Sequence, residues 1–364
     1  MGNRFRIAIN TGGGDAPGLN AVIYAVTMAA HARGWEVHGI QQGYAGLFDT
    51  NRLVQLTPER VAGIMNHGGT ILGTTNKGDP FRRPVERPDG TVEFRDESDR
   101  VVESFHRLGF DVLVALGGDG SLQLAHRLSQ KGIPVVGVPK TIDNDLVETH
   151  QTFGFDTAVT TATDAIDKLH TTAAAHDRVM VVEVMGRYAG WIALHSGAAG
   201  DADVILIPEL PFDIDRVCAR LAENEIQGKR YGIVVVAEGA KARGGGLVTR
   251  VNEDVGREEV QLGGIAEWVA HEIHRRAGRE TRSLVLGHLQ RGGSPTTSDR
   301  LLSLRFGAAA VRFIAEGRRN VMVAWQPPEM RAVPIEEVIG RTKLVPIDSD
   351  TVRTCRDLGI SFGD

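Results

Sequence analysis

Three apolar runs of strand length, each ending in a turn too small or too polar to continue a sheet, constrain this chain most. Arg6-Ile-Ala-Ile-Asn10 runs into Thr11-Gly-Gly-Gly-Asp-Ala-Pro-Gly18, and residues 19–32 are apolar with helical spacing. Asp111-Val-Leu-Val-Ala-Leu116 ends at Gly117-Gly-Asp-Gly-Ser121, ahead of a helical pattern over 122–130. Gly132-Ile-Pro-Val-Val-Gly-Val138 ends at Pro139-Lys-Thr-Ile-Asp-Asn-Asp145. That last heptapeptide cannot sit inside a strand. It belongs at a strand's carboxyl end, where open α/β sheets bind ligands. A strand, a glycine turn and a helix start together make an anion site, because small residues let backbone N–H groups approach phosphate. Each turn also has a plainer reading as a βα connection or as ordinary Asp-Asn-Asp turn chemistry. Recurrence on successive strands is what favours a polyphosphate.

The rest of the chain repeats the alternation. Strand patterns fall at 35–40, 179–184, 204–208, 231–237, 283–286 and 320–324, and helical patterns at 153–176, 214–227, 265–276 and 299–316. The expected fold class is α/β: two doubly wound, mostly parallel-sheet domains. A length of 364 residues also favours two domains. Residues 82–100 are charged and read as a surface excursion with a hairpin at Asp89-Gly90. Residues 241–264 read as a polar, glycine-rich insertion, and the tail from Glu329 is mixed.

Net charge is −5, so no global field draws the chain to nucleic acid or membrane, and an anionic ligand must be held by local arginines. Cys218 and Cys355 are the only cysteines and lack metal or redox spacing, which fits a reducing compartment. The first residues run straight into a strand pattern with no signal-peptide core, and no segment has transmembrane length, so a cytoplasmic protein is expected.

Asp119 is the only charged side chain at its strand's end and suits Mg2+ bound to phosphate oxygens. Gly118 and Gly120 leave room for a polyphosphate against backbone, while Ser121 can also be read as a helix cap. Tyr44 in Gly43-Tyr-Ala-Gly46 lies beside a base or in a core. Arg178, Arg187, Arg282 and Arg291, with His288 close by, all fall near strand ends. Singly, each reads as a surface ion-pair partner. Together they suggest a second phosphate pocket, hence a phosphorylated acceptor beside a phosphoryl donor.

Gly13-Gly-Asp-Ala-Pro-Gly-Leu-Asn20, Gly117-Gly-Asp-Gly-Ser121, Pro139 to Asp145, Val184-Met-Gly-Arg-Tyr188 and Gly287-His-Leu-Gln-Arg-Gly-Gly-Ser-Pro295 resemble the 6-phosphofructokinase family, in the same order. The resemblance runs from the first strand to about residue 317. It implies an active site in the cleft between a phosphoryl-donor domain, 1–154 plus 290–341, and a sugar-phosphate domain, 155–289 plus 342–364. It implies Asp143 as the base for the 1-hydroxyl of fructose 6-phosphate, with Thr141 and Arg187 also catalytic and Asp119 as the Mg2+ ligand. Gly14, Lys77, Gly117, Gly118, Asp119, Gly120 and Ser121 would hold the donor. Thr141, Ile142, Asp143, Met185, Gly186, Arg187, Glu238, His288, Leu289, Gln290 and Arg291 would hold the sugar phosphate. Arg178 and Arg282 would reach it from a neighbouring subunit, which implies a homodimer or homotetramer with shared sites.

The donor is ATP or pyrophosphate in this family, and Gly120 and Lys140 bear on the choice. A carboxylate at 120 would crowd and repel an α-phosphate, so Gly120 favours ATP. Lys140 is the residue of pyrophosphate users, and the pair resembles the ATP-using branch of the longer, mixed-donor lineage. The implied reaction is the glycolytic one, with ATP. The alternatives are a pyrophosphate-dependent phosphotransferase, an inactive sugar-phosphate-binding regulatory subunit, and a lipid or dinucleotide kinase. Asn76 replaces a catalytic arginine of short bacterial members, and Lys77 is the substitute cation. Tyr24 and Met28 stand where allosteric members carry effector-binding arginines, so the usual ADP and phosphoenolpyruvate control is not expected.

Overall fold

A computed structural model describes residues 4–75, 78–87, 90–245 and 263–364. Its strands are β1 (Arg6–Thr11), β2 (Glu36–Ile40), β3 (Leu53–Leu56), β4 (Arg83–Glu86), β5 (Val92–Arg95), β6 (Val112–Gly117), β7 (Val135–Pro139), β8 (Val179–Val184), β9 (Val204–Leu206), β10 (Gly232–Ala237), β11 (Thr281–Val285), β12 (Val321–Gln326) and β13 (Glu329–Pro334). Its helices are α1 (Leu19–His31), α2 (Ala45–Phe48), α3 (Ser98–Arg107), α4 (Asp119–Gln130), α5 (Phe155–Ala175), α6 (Trp191–Ala199), α7 (Ile214–Ile226), α8 (Ile265–Ala277), α9 (Thr297–Ala315) and α10 (Asp350–Asp357).

The strands form a large sheet in the order β13-β12-β7-β6-β1-β2-β3, a smaller sheet β11-β8-β10-β9, and the hairpin β4-β5. The smaller sheet is parallel throughout. The larger is parallel from β12 to β2, with antiparallel edges at β3 and β13. Strands β6, β7, β8 and β10 are buried along their whole length, as expected of sheets covered on both faces. On one face of the large sheet α1 and α9 close a core around Ile9, Val114 and Phe306; on the other, α3 and α4 close one around Phe105 and Leu122. The small sheet lies between α5 and α6 on one side and α7 and α8 on the other.

Several elements differ from the sequence expectation. Helix α4 begins at Asp119, three residues earlier than the apolar periodicity indicates, so Asp119 and Gly120 occupy its first turn. The charged stretch read as surface excursion ends in α3, which buries Val101 and Phe105 beneath a polar face. Helix α6 escapes the pattern because it is apolar on nearly every side and shows no stripe. The hairpin is present as β4 and β5, with Asp89 outside the described residues. Of the insertion at 241–264, residues 246–262 lie outside the described residues.

Helices α1 and α9 touch closely because Gly307 lies between them. A Cβ at 307 would come 2.7 Å from both the Ala25 Cβ and the Val22 carbonyl oxygen, and a backbone atom cannot swing away. Gly307→Val should therefore destabilise the fold by about 1–3 kcal/mol. Chemical denaturation should show the loss as a lowered midpoint with an unchanged slope.

Candidate active site

Parallel strands put their carboxyl ends on one side, and the order β7-β6-β1 makes the three turns singled out in the sequence neighbours. The Gly12 N–H donates to the Leu116 carbonyl at 2.9 Å, and the Lys140 N–H donates to the Gly117 carbonyl at 2.9 Å. Ser121 does not cap α4, whose N-cap is Gly118 without a side-chain cap bond. Its side chain lies instead between the first two turns, where a Cβ on Gly12 would come 2.7 Å from the Ser121 Oγ and a Cβ on Gly117 would fall on Ser121 Cβ. The leading N–H groups of α4 are left without a side-chain acceptor, which is the arrangement anions bind.

Gly120 is exposed, and a Cβ built on it would meet nothing within 4 Å. Asp119 beside it is held at both oxygens: Gln123 Nε2 donates to Oδ2 at 2.7 Å, and the Gly340 N–H donates to Oδ1 at 2.8 Å. Lys140 is only 4% exposed and passes beneath the first turn, donating from Nζ to the Gly14 carbonyl. Burial, reinforced by Arg291, pushes its ammonium down to about 8, against the pull of Asp15, Asp143 and Asp145. Lys77, expected at the donor, lies outside the described residues, as does Asn76.

The third turn carries the most perturbed groups. Asp143 is pushed up to about 7, first by burial and next by Asp145, with Glu238 adding to the rise and Arg291 and Lys140 opposing it. Its backbone N–H donates to Thr141 Oγ1 at 3.1 Å, while its Oδ1 is buried with no hydrogen-bond partner among the described residues. Asp145 is also pushed up, chiefly by burial, with the Thr141 hydroxyl opposing and the charge of Asp119 adding to the rise. Ile142 is fully buried in the core beneath. The loop is tied down by Thr152, whose hydroxyl donates to the Thr141 carbonyl at 2.6 Å.

The small sheet supplies the facing wall from the ends of β8, β10 and β11. Met185, Gly186 and Arg187 follow β8, Glu238 follows β10, and the turn Gly287–Arg291 follows β11. Glu238 is pushed up by burial and by Glu183, with Arg291 and Arg187 opposing. Arg291 crosses to the large sheet, donating to the Asp15 carbonyl at 3.0 Å, and its Nη1 lies 2.8 Å from where a Gly14 Cβ would be. His288 is exposed and Leu289 is 68% exposed, whereas Gln290 is fully buried. Gln290 accepts from the Met185 N–H at 3.2 Å and donates to the Gly287 carbonyl at 3.1 Å.

The four arginines of the sequence reading separate into two pairs. Arg187 and Arg291 stand at the carboxyl ends of strands with Asp143. Arg178 precedes β8 and Arg282 is second in β11, at the opposite ends, where both bind Glu280 at 2.9 Å. Tyr44, left between base and core, is 6% exposed, lies in the core and also lines a cavity of about 430 Å³ with Gln42, Phe48, Thr75, Asp79 and Arg83. Sequence reasoning missed Gln123, which helical i,i+4 spacing from Asp119 could have found, and also Gly340 and Lys343, which bond to Asp119 and Asn144 from the far end of the chain with no signal in spacing.

The phosphofructokinase family profile matches residues 6–314, and the chain belongs to that family. It is 51% identical over 359 residues to an ATP-dependent 6-phosphofructokinase of Chloroflexus aggregans, covering 99% of this chain and 98% of the relative. Phosphofructokinase from Pichia pastoris superposes with a TM-score of 0.79 at 31% identity, covering 93% of this chain, which spans 35% of the larger Pichia chain. A pyrophosphate-dependent phosphofructokinase from Marinobacter aquaeolei shares the fold, with a TM-score of 0.79 over 98% of this chain and 92% of that one, at 23% identity.

A raised carboxyl is a destabilising charge once ionised. The folded-state value of about 7 for Asp143 lies above the ordinary 3.8, so its unfavourable contribution grows as pH rises from about 4 to about 7 and stays beyond. Asp143→Asn should therefore raise the melting temperature at pH near 8 by a few degrees and leave it unchanged near pH 4. Calorimetry at the two pH values checks both halves.

Proposed function

We propose that the chain transfers the γ-phosphoryl group of ATP to the 1-hydroxyl of fructose 6-phosphate, releasing ADP and fructose 1,6-bisphosphate. The observation that carries the reading is the unpartnered, buried oxygen of Asp143, in a carboxyl pushed up to about 7 beside two glycine turns ready for anions. Such a group is matched to taking a proton near neutral pH.

The sugar hydroxyl gives its proton to Asp143 as its oxygen bonds to the γ-phosphorus. The bond from that phosphorus to the β-γ bridging oxygen breaks in line, and ADP leaves. Thr141 steadies the transferring group. The donor lies along Gly14, Gly117, Gly118, Gly120 and Ser121. Arg187, Arg291, His288, Glu238 and the backbone at Met185, Gly186 and Leu289 hold the sugar phosphate, with buried Gln290 positioning Met185. The donor side takes in 1–154 with 290–341, and the sugar side 155–289 with 342–364. Arg178 and Arg282 serve a neighbouring subunit's sugar site in a homodimer or homotetramer, a reading supported by their place at the far ends of the strands. Among the described residues no helix is long and apolar enough to cross a membrane. Cytoplasmic residence is part of the proposal and is supported by the free thiols of Cys218 and Cys355, which fit a reducing compartment.

The metal is Mg2+, held by Asp119. Among the described residues no cluster of three or more potential ligands exists. That fits an ion bound through one carboxylate and the donor's own phosphates rather than a protein cage. Mg2+ would supply charge neutralisation on the phosphate oxygens; Asp119, braced by Gln123 and Gly340, presents its carboxylate to it.

ATP is favoured over pyrophosphate by the uncovered backbone at Gly120 and by the activity named for the Chloroflexus relative. Lys140 does not overturn this, because its ammonium, which gives one hydrogen bond to the Gly14 carbonyl, can serve either donor, whereas open backbone at 120 is needed for ATP alone. A coupled assay with fructose 6-phosphate should show turnover with ATP and at least roughly 100-fold less with pyrophosphate. A reversed preference would refute the donor, and turnover with neither would support the regulatory-subunit reading. Gly120→Asp should fold normally, since its Cβ meets nothing, yet lose at least about 100-fold in kcat/KM for ATP, because like-charge contact costs several kcal/mol.

A further inference from the structure

The segment from Gly340 to Val345 lies beyond residue 314, where the family profile ends, yet it bonds to Asp119 and to the turn carrying Asp143 and reaches across to Trp191 and Glu209. The Gly340 N–H holds Asp119 Oδ1 at 2.8 Å, and Thr342 pairs with Leu146 as an antiparallel bridge. The Lys343 N–H donates to the Asp145 carbonyl at 2.7 Å. On the small-sheet side, Trp191 Nε1 donates to the Lys343 carbonyl at 2.8 Å and the Val345 N–H donates to Glu209 Oε1 at 2.8 Å.

Lys343 is the centre of this strap. Its ammonium has three donors and all three are spent: on Asn144 Oδ1 at 2.8 Å, the Thr149 carbonyl at 3.0 Å and the His150 carbonyl at 3.1 Å. Asn144, between Asp143 and Asp145, has φ 52, a left-handed conformation that a non-glycine residue holds only when its surroundings fix it. Its Oδ1 also accepts from the Thr152 N–H at 3.2 Å, so the one acceptor joins the tail to the residue whose hydroxyl holds the Thr141 carbonyl.

We propose that Lys343 is a positioning residue for phosphoryl transfer: from the tail it locks the left-handed turn at Asn144 and thereby aims the carboxylate of Asp143 at the acceptor hydroxyl. It touches no substrate. The strap also makes that aim depend on the small sheet, since Trp191 and Glu209 hold its other edge. The inference rests on Asp143 being the base, and it goes beyond that reading by assigning the aim to a residue 200 positions away in the chain.

The test uses the full-length protein and Lys343→Met, which keeps length and removes the three bonds. Misaiming a base slows the step without weakening binding, so kcat should fall about 10- to 100-fold while KM for ATP and for fructose 6-phosphate each stay within about 3-fold. Trp191→Phe, which loses the indole N–H bond to the strap and shrinks the ring that the Lys343 ammonium faces at 5.6 Å, should show the same split at smaller size, about 2- to 5-fold in kcat. Should Lys343→Met fail to fold by circular dichroism, Trp191→Phe decides alone. A kcat within about 2-fold of wild type in Lys343→Met, or a loss carried mainly by KM, overturns the proposal. Asp143→Asn measured alongside separates the two levels: if it is inactive while Lys343→Met is fully active, only the positioning role fails. If Asp143→Asn itself retains activity, the reading of the base fails instead.

Discussion

Everything at this site depends on keeping a carboxylate oxygen dry and unpaired. Burying an acid without a partner is unfavourable, and burial is the largest influence on Asp143, with charges of both signs around it. Lys140 and Arg291 pull the group toward ionisation, Asp145 and Glu238 push it away, and burial tips the result toward the neutral range. None of these four comes from the same strand end as another, apart from Lys140 and Asp145 on the turn itself. That set of charges therefore exists only when the large and small sheets stand together, with Arg291 reaching across to the Asp15 carbonyl.

In the proposed reaction the two sheets divide the work by a shared geometry. In both, parallel strands deliver their carboxyl ends to one side. The large sheet presents N–H groups and small residues there, suited to a polyphosphate. The small sheet presents guanidinium groups and the half-buried Glu238, which the proposal assigns to a phosphorylated sugar. Buttressing comes from packing: Ser121 filling the space between two glycine turns, Ile142 anchored in the core, and α1 seated closely on α9.

Much of this was legible in the sequence. Strand runs broken by Gly-rich turns gave the parallel architecture, and the acids and arginines at their ends gave the chemistry. The antiparallel edges β3 and β13, the uniformly apolar α6 and the early start of α4 were not legible, because each is decided by packing rather than by periodicity. Residue type alone grouped Arg178 and Arg282 with Arg187 and Arg291, and the family resemblance was what set the first two apart. The parallel register of β8 and β11 brings those two together at the strands' amino ends. The tail gave least of all, since the meaning of Gly340 and Lys343 lies in contacts to residues 221 and 199 positions earlier.

The most direct measurement is kcat against pH at saturating substrates, over roughly two units either side of neutrality. A base that must be ionised to work, with its carboxyl near 7, should make kcat climb with pH and level off above about 7. A kcat that stays flat from about pH 5 to 9, or that falls as pH rises through 7, would contradict Asp143 as the group that takes the proton.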